Sequence, residues 1–204
     1  MQSAFRKALI PTLLGLAATA RAAIDFTPTV NQYQSEGALY SSATFKDEKR
    51  SVSIIMPRSW TCHGDSSRLQ MAPPQQTLAE GVLQSVPTKT PLRFDAATVT
   101  SLEQQVLTTL PPESRSATIV SQQENPVILN QNLSYEFVVS YQALGQTFLR
   151  SVILVSCPDQ ALIFKFTAPK TTFDALNRSF RQSLCSWQWI EPAASSVRAV
   201  TASR

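Results

Sequence analysis

Between residues 134 and 167 three apolar stretches follow one another with almost no chain between them. That spacing constrains the fold more than any other feature. Residues 134–141, 147–156 and 161–167 are rich in Val, Ile, Phe and Tyr, the residue types that fit a pleated surface. Leu144-Gly145 joins the first to the second, and Cys157-Pro158-Asp159-Gln160 joins the second to the third. A parallel crossover needs a dozen or more residues, so connections this short make the three stretches an antiparallel meander. Residues 152–155 and 162–164 are continuously apolar, as in central strands covered on both faces.

The covering elements are read from the same periodicities. Leu102, Val106 and Leu110 recur at every fourth residue, with Val99 three before them, which predicts a helix over 99–110. Thr98 or Thr100 is positioned to cap it, and Pro111-Pro112 ends it. Phe173, Leu176, Phe180 and Leu184 form one apolar stripe on a helix over 172–184, with Thr171 and Asp174 spaced as a capping box. Residues 51–56 alternate as a strand stopped by Pro57; 68–71 and 117–122 read as further strands. Residues 77–86 predict a helical turn or two, weakened by Gly81. Residues 24–50 are polar and weakly patterned, with a short strand over 38–45 and a solvated turn at the charge run 46–50. Trp187-Gln188-Trp189 reads as a final short strand or an edge plug. With 13 Pro against 5 Gly, the connections are rigid rather than flexible. The expected class is α+β: an antiparallel sheet flanked by helices as an α/β/α sandwich, in a single domain over 24–190.

The ends differ from this body. Arg6 and Lys7 precede an apolar run over 8–18, and Ala20-Arg21-Ala22 supplies small residues for cleavage. This is the pattern of an export signal over 1–22, and the run is too short to span a bilayer. Residues 191–204 are Ala, Ser, Val and Thr with two Arg, and read as a disordered tail. Of 18 Lys and Arg, Arg6, Lys7 and Arg21 lie in the signal, which holds no acid, leaving 15 basic against 14 acidic side chains. That balance lacks the electrostatic footprint of a nucleic-acid binder. The expected mature protein is periplasmic or secreted, with no integral membrane span.

The strand ending in Met56-Pro57-Arg58-Ser59-Trp60, a helix before a meander, and a closing helix with Phe173, Phe180 and Leu184 together resemble the PsbP-like fold, including the bacterial DcrB-like envelope proteins. Ser59 stands where that group often has glycine, and the segment 72–97 is longer and richer in proline. The resemblance implies an antiparallel sheet between helices. It also implies a binding or assembly accessory for another envelope protein or complex, with no catalytic residues and no cofactor.

Side chains able to carry chemistry are few. An exported chain can form disulfides, and Cys157–Cys185 is the expected pair. The strand over 161–167 advances about 23 Å at ~3.3 Å per residue and the helix over 172–184 returns about 20 Å at ~1.5 Å per residue. Such a bond contributes roughly 3 kcal/mol through loop entropy. Cys62 adjoins His63, the single histidine, but neighbours on an extended chain point to opposite sides. The cysteine spacings fit no zinc template, and G-x-S-x-G, G-x-G-x-x-G and phosphate-loop motifs are absent from the sequence. Trp60, Cys62, His63 and Trp187 are the candidate ligand or partner contacts, although tryptophan more often packs a core. Three readings follow: a noncatalytic accessory protein, a small periplasmic ligand carrier with an apolar cleft by the tryptophans, and a thiol enzyme using Cys62.

Overall fold

The structure, a computed structural model, describes residues 24–47 and 50–190; the expected export signal and C-terminal tail lie outside the described residues. In chain order the elements are β1 (Ile24–Ser35), β2 (Ala38–Asp47), β3 (Ser51–Ile55), β4 (Thr61–Gly64), β5 (Arg68–Ala72) and β6 (Glu80–Pro87). They continue as α1 (Ala96–Thr108), β7 (Arg115–Glu124), β8 (Ser134–Ala143), β9 (Gln146–Ser156), β10 (Gln160–Pro169), α2 (Lys170–Cys185) and β11 (Gln188–Ile190). The meander is present as β8, β9 and β10, antiparallel throughout. Leu144 (φ 49°) and Gly145 (φ 73°) form its first turn, whose left-handed residues match the strand twist.

The strands form two antiparallel sheets. One has seven strands in the order β4-β5-β6-β10-β9-β8-β7, and the other four in the order β1-β2-β3-β11. Strand alternation sorts the large sheet's apolar residues. Phe164, Phe166, Ile153 and Val155 face one side with Phe173, Phe180 and Leu184 of α2. Ile163, Val152, Leu154, Phe137 and Val139 face the other with Leu102 and Val106 of α1. The helices therefore sit on opposite faces, as expected. The departure lies in the layer with α2: Ile24, Phe26, Phe45, Val52 and Ile54 bring the four-stranded sheet into the same core. The protein is a mostly antiparallel α+β domain in which a second sheet shares one covering layer, rather than a plain α/β/α sandwich.

Several local expectations are corrected. Residues 80–87 form β6 between β5 and β10 instead of a helical turn. Gly81 is required there because a Cβ would lie 2.6 Å from Cε2 of Phe180. Helix α1 is capped by Asp95, whose Oδ1 accepts from the Thr98 backbone N–H at 2.9 Å, and not by Thr98 or Thr100. The Thr171/Asp174 capping box does not form: β10 runs straight into α2, so Thr171 lies inside the first turn and Pro169 is the cap, with no side-chain bond. Residues 61–64, which carry Cys62 and His63, form the edge strand β4.

A partly buried ion pair ties α2 to the large sheet. Glu136 of β8, 1% exposed, accepts from Ser151 Oγ at 2.5 Å and pairs with the Arg181 guanidinium. Beside it, the Gly81–Phe180 contact gives a clean test of how closely α2 seats. Because Phe180 is fully buried and cannot yield, Gly81→Ala is expected to lower stability by about 1–3 kcal/mol in urea unfolding.

Candidate functional site

The most unusual surface is where the second sheet leaves the body. Strand β2 pairs β1 along its whole length, but β3 accompanies it only from Lys46 to Ser42. Beyond that point β1 and β2 continue as a two-stranded ribbon closed by Glu36 (φ 50°) and Gly37 (φ 78°), a second two-residue turn of left-handed residues. Tyr33 and Tyr40 lie directly opposite each other and stack at 5.6 Å. Val30, Tyr33, Leu39 and Tyr40 are all exposed.

At the ribbon's foot an open groove of about 440 Å³ lies between Leu39 and Tyr40, the β3 exit with Ile55 and Trp60, and the last turns of α2 with Gln182 and Ser183. Its walls are fixed by short bonds across the sequence. The Met56 N–H donates to the Ser41 carbonyl at 2.8 Å, Ser183 Oγ to the Ile55 carbonyl at 2.6 Å, and the Ile55 N–H to Ser186 Oγ at 2.7 Å. The exit is a tight turn in which the Trp60 N–H donates to the Pro57 carbonyl at 3.1 Å and Ser59 is held left-handed at φ 64°. A left-handed third residue is what a type II turn demands of glycine.

The residues singled out from sequence do not assemble into one site. Trp60 packs on Phe166, with ring centroids 5.9 Å apart, and its remaining surface lines the groove. Trp187, 3% exposed, is a core residue against Phe164 and Trp189, at 5.5 and 5.6 Å, and is no surface contact. Cys62 and His63 lie side by side on β4, opposite Met71 and Gln70 respectively. Cys62 packs on the core with Met71, while His63 is exposed on the other face. Burial pushes the Cys62 thiol above its ordinary value, which keeps it protonated at neutral pH.

The expected Cys157–Cys185 bond is absent. All three cysteines are free, with Cys157 buried and Cys185 exposed. Strand and helix lengths fix where α2 ends, but helical phase fixes where its last side chain points. The buried residues of α2 are Phe173, Asn177, Phe180, Ser183 and Leu184, and Cys185 falls outside them, beside the exposed Arg178 and Gln182. Burial, then the nearby Asp159 carboxylate, push the Cys157 thiol up to about 11.

On the opposite face of the large sheet, Arg150 spans the end of α1. It donates through Nε to Thr167 Oγ1 and through a terminal N–H to the Thr109 carbonyl, both at 2.8 Å. Nearby Lys165 has its ammonium pKa lowered by burial first and then by Arg150 and Arg68. Among the described residues no group of three or more His, Cys, Asp or Glu is gathered to hold a metal ion, and no helix is long and apolar enough to cross a membrane.

No family model and no curated protein matches the chain. Among solved structures, a Pseudomonas aeruginosa protein of unknown function is similar at 12% identity and a TM-score of 0.47, over 81% of this chain and 99% of that one. A Bacteroides thetaiotaomicron protein is similar at 12% identity and a TM-score of 0.45, over 70% of this chain and 46% of that one.

Two outcomes follow from this geometry. Ser59→Gly is expected to raise stability by about 1 kcal/mol in thermal or urea unfolding, by relieving a left-handed serine. With an alkylating reagent, Cys185 is expected to react at once, Cys62 slowly and Cys157 only on unfolding. The intact mass should be the same with and without reductant.

Proposed function

We propose that this chain is an exported, noncatalytic accessory protein of the cell envelope, PsbP-like in plan, that docks a partner protein through the ribbon and the groove at its foot. The observation that carries the reading is the gathering of exposed apolar side chains there. Leu39, Tyr40 and Ile55 are 59%, 40% and 40% exposed and border one groove. Single exposed apolar residues are ordinary, whereas a contiguous set rimmed by polar side chains marks an interaction surface. Ser179, Gln182, Ser183 and Ser186 supply that rim. The export signal over 1–22 and the near-neutral remainder agree with a protein partner outside the cytoplasm.

A small-ligand carrier is the second reading, because a groove of about 440 Å³ falls in the size range of ligand sites. The thiol-enzyme reading has less support, since Cys62 faces the core and His63 the opposite side.

The test is capture of the tagged protein's partners from envelope extract, with crosslinking and mass spectrometry, using wild type beside Tyr40→Asp and Leu39→Asp. A partner retained by the wild type and lost at least tenfold by both variants supports the reading. Retention that neither variant changes, or no retained protein after crosslinking, overturns it and leaves the ligand carrier to be tested by native mass spectrometry.

A further inference from the structure

Among the described residues the four-stranded sheet ends on β1, and its outer edge is unlike the other sheet edges. The edge strand β4 has four residues, too short to template a partner. The edge strand β7 is broken by two register shifts and a left-handed Ser116, which bend its ladder out of line. Strand β1 has none of these protections over its distal half. Residues 29–35 read Thr-Val-Asn-Gln-Tyr-Gln-Ser, continuous in register with β2 and without a charged side chain. Lysine, proline and bulges are the usual means of blunting such an edge. Here the bulge and Pro28 both lie at its base, between Asp25 and Thr29.

The direction of the free backbone groups follows from the hairpin. Ser35 and Ala38 close the two-residue turn and face each other. Alternate residues of an antiparallel pair bond to the partner strand, so Ser35, Tyr33 and Asn31 are satisfied by β2. Gln34, Gln32 and Val30 therefore turn their N–H and C=O groups outward. Pro28 is next in that outward series and has no N–H, so the available ladder stops there.

We propose that this edge pairs with the same edge of a second copy, antiparallel about a two-fold axis at Gln32. That register places Gln32 opposite its own copy and Val30 opposite Gln34, each as a hydrogen-bonded pair, for about six new N–H···O bonds. It also continues two four-stranded sheets into one of eight. A two-fold contact must complement itself, and this edge does. No like charges meet across it, and the amides of Gln32 each offer both donor and acceptor. An edge without charge offers no electrostatic attraction to an acidic or basic peptide, which favours a self-complementary second copy. The contact uses the free edge of β1, whereas the groove is lined from β2, so Gln32 variants test it separately from the Leu39 and Tyr40 variants.

The test is sedimentation of the protein as purified from its expressing cell, from about 1 to 200 µM, the range suited to a small interface. The mass is expected to rise from one chain to two. Gln32→Pro removes the central outward N–H, and Gln32→Lys sets two ammonium groups opposite each other, so each should weaken association at least tenfold. Asn31→Ser, whose backbone faces β2, should associate as the wild type does. Circular dichroism and thermal melting establish that each variant is folded, and Gln32→Lys at an exposed position carries the test if the proline variant unfolds. A single-chain mass across the whole range, or dimerisation unchanged in Gln32→Lys, overturns the proposal.

Discussion

Phe166 is the contact on which the molecule depends. Its ring lies 5.4 Å from Phe180, 5.9 Å from Phe173 and 5.9 Å from Trp60. Those four rings come from the last meander strand, from two turns of α2 and from the exit of β3. One cluster thus fixes how the closing helix lies on the large sheet and where the groove wall stands. Burial of large aromatic side chains is a major contribution to a domain of this size, and here it is concentrated where the large sheet, α2 and the β3 exit meet. Gly81 is the space that the cluster needs on the neighbouring strand.

The parts legible in the sequence were those governed by short connections and strong periodicity. The meander followed from two brief turns, α1 and the stripe on α2 from regular apolar spacing, and the strand after residue 50 from alternation closed by Pro57. Wherever tertiary context decides, the local signal pointed elsewhere. Residues 80–87 carry enough helix formers around Gly81 to mimic a helical turn, yet the gap between β5 and β10 takes them as a strand. Thr171 and Asp174 have the spacing of a capping box, but the strand feeding α2 puts the Ncap at Pro169 and Thr171 inside the first turn.

The candidate site was the least legible part, for a physical reason. A ribbon that stands clear of the body has no buried face, so β1 shows no apolar alternation beyond Phe26. The Glu36-Gly37 pair was its one readable mark, since a glycine after a left-handed residue suits a two-residue turn. Trp60 borders the groove, whereas Trp187 belongs to the core. The cysteines show how length and phase separate: counting residues locates the end of a helix, and a rotation of one residue decides whether its thiol faces the sheet or the solvent.

The short strand β11 has a consequence for when the domain can be completed. It supplies the last rung of the N-terminal sheet by pairing with β3, while Ser183 and Ser186 tie off Ile55 from the end of α2. The first described strands are thus finished by nearly the last of the described residues. A chain still emerging from a ribosome or a translocation pore can form the meander from neighbouring segments, but its N-terminal half has to wait. Truncation after the meander leaves an open sheet rather than a smaller version of the same domain.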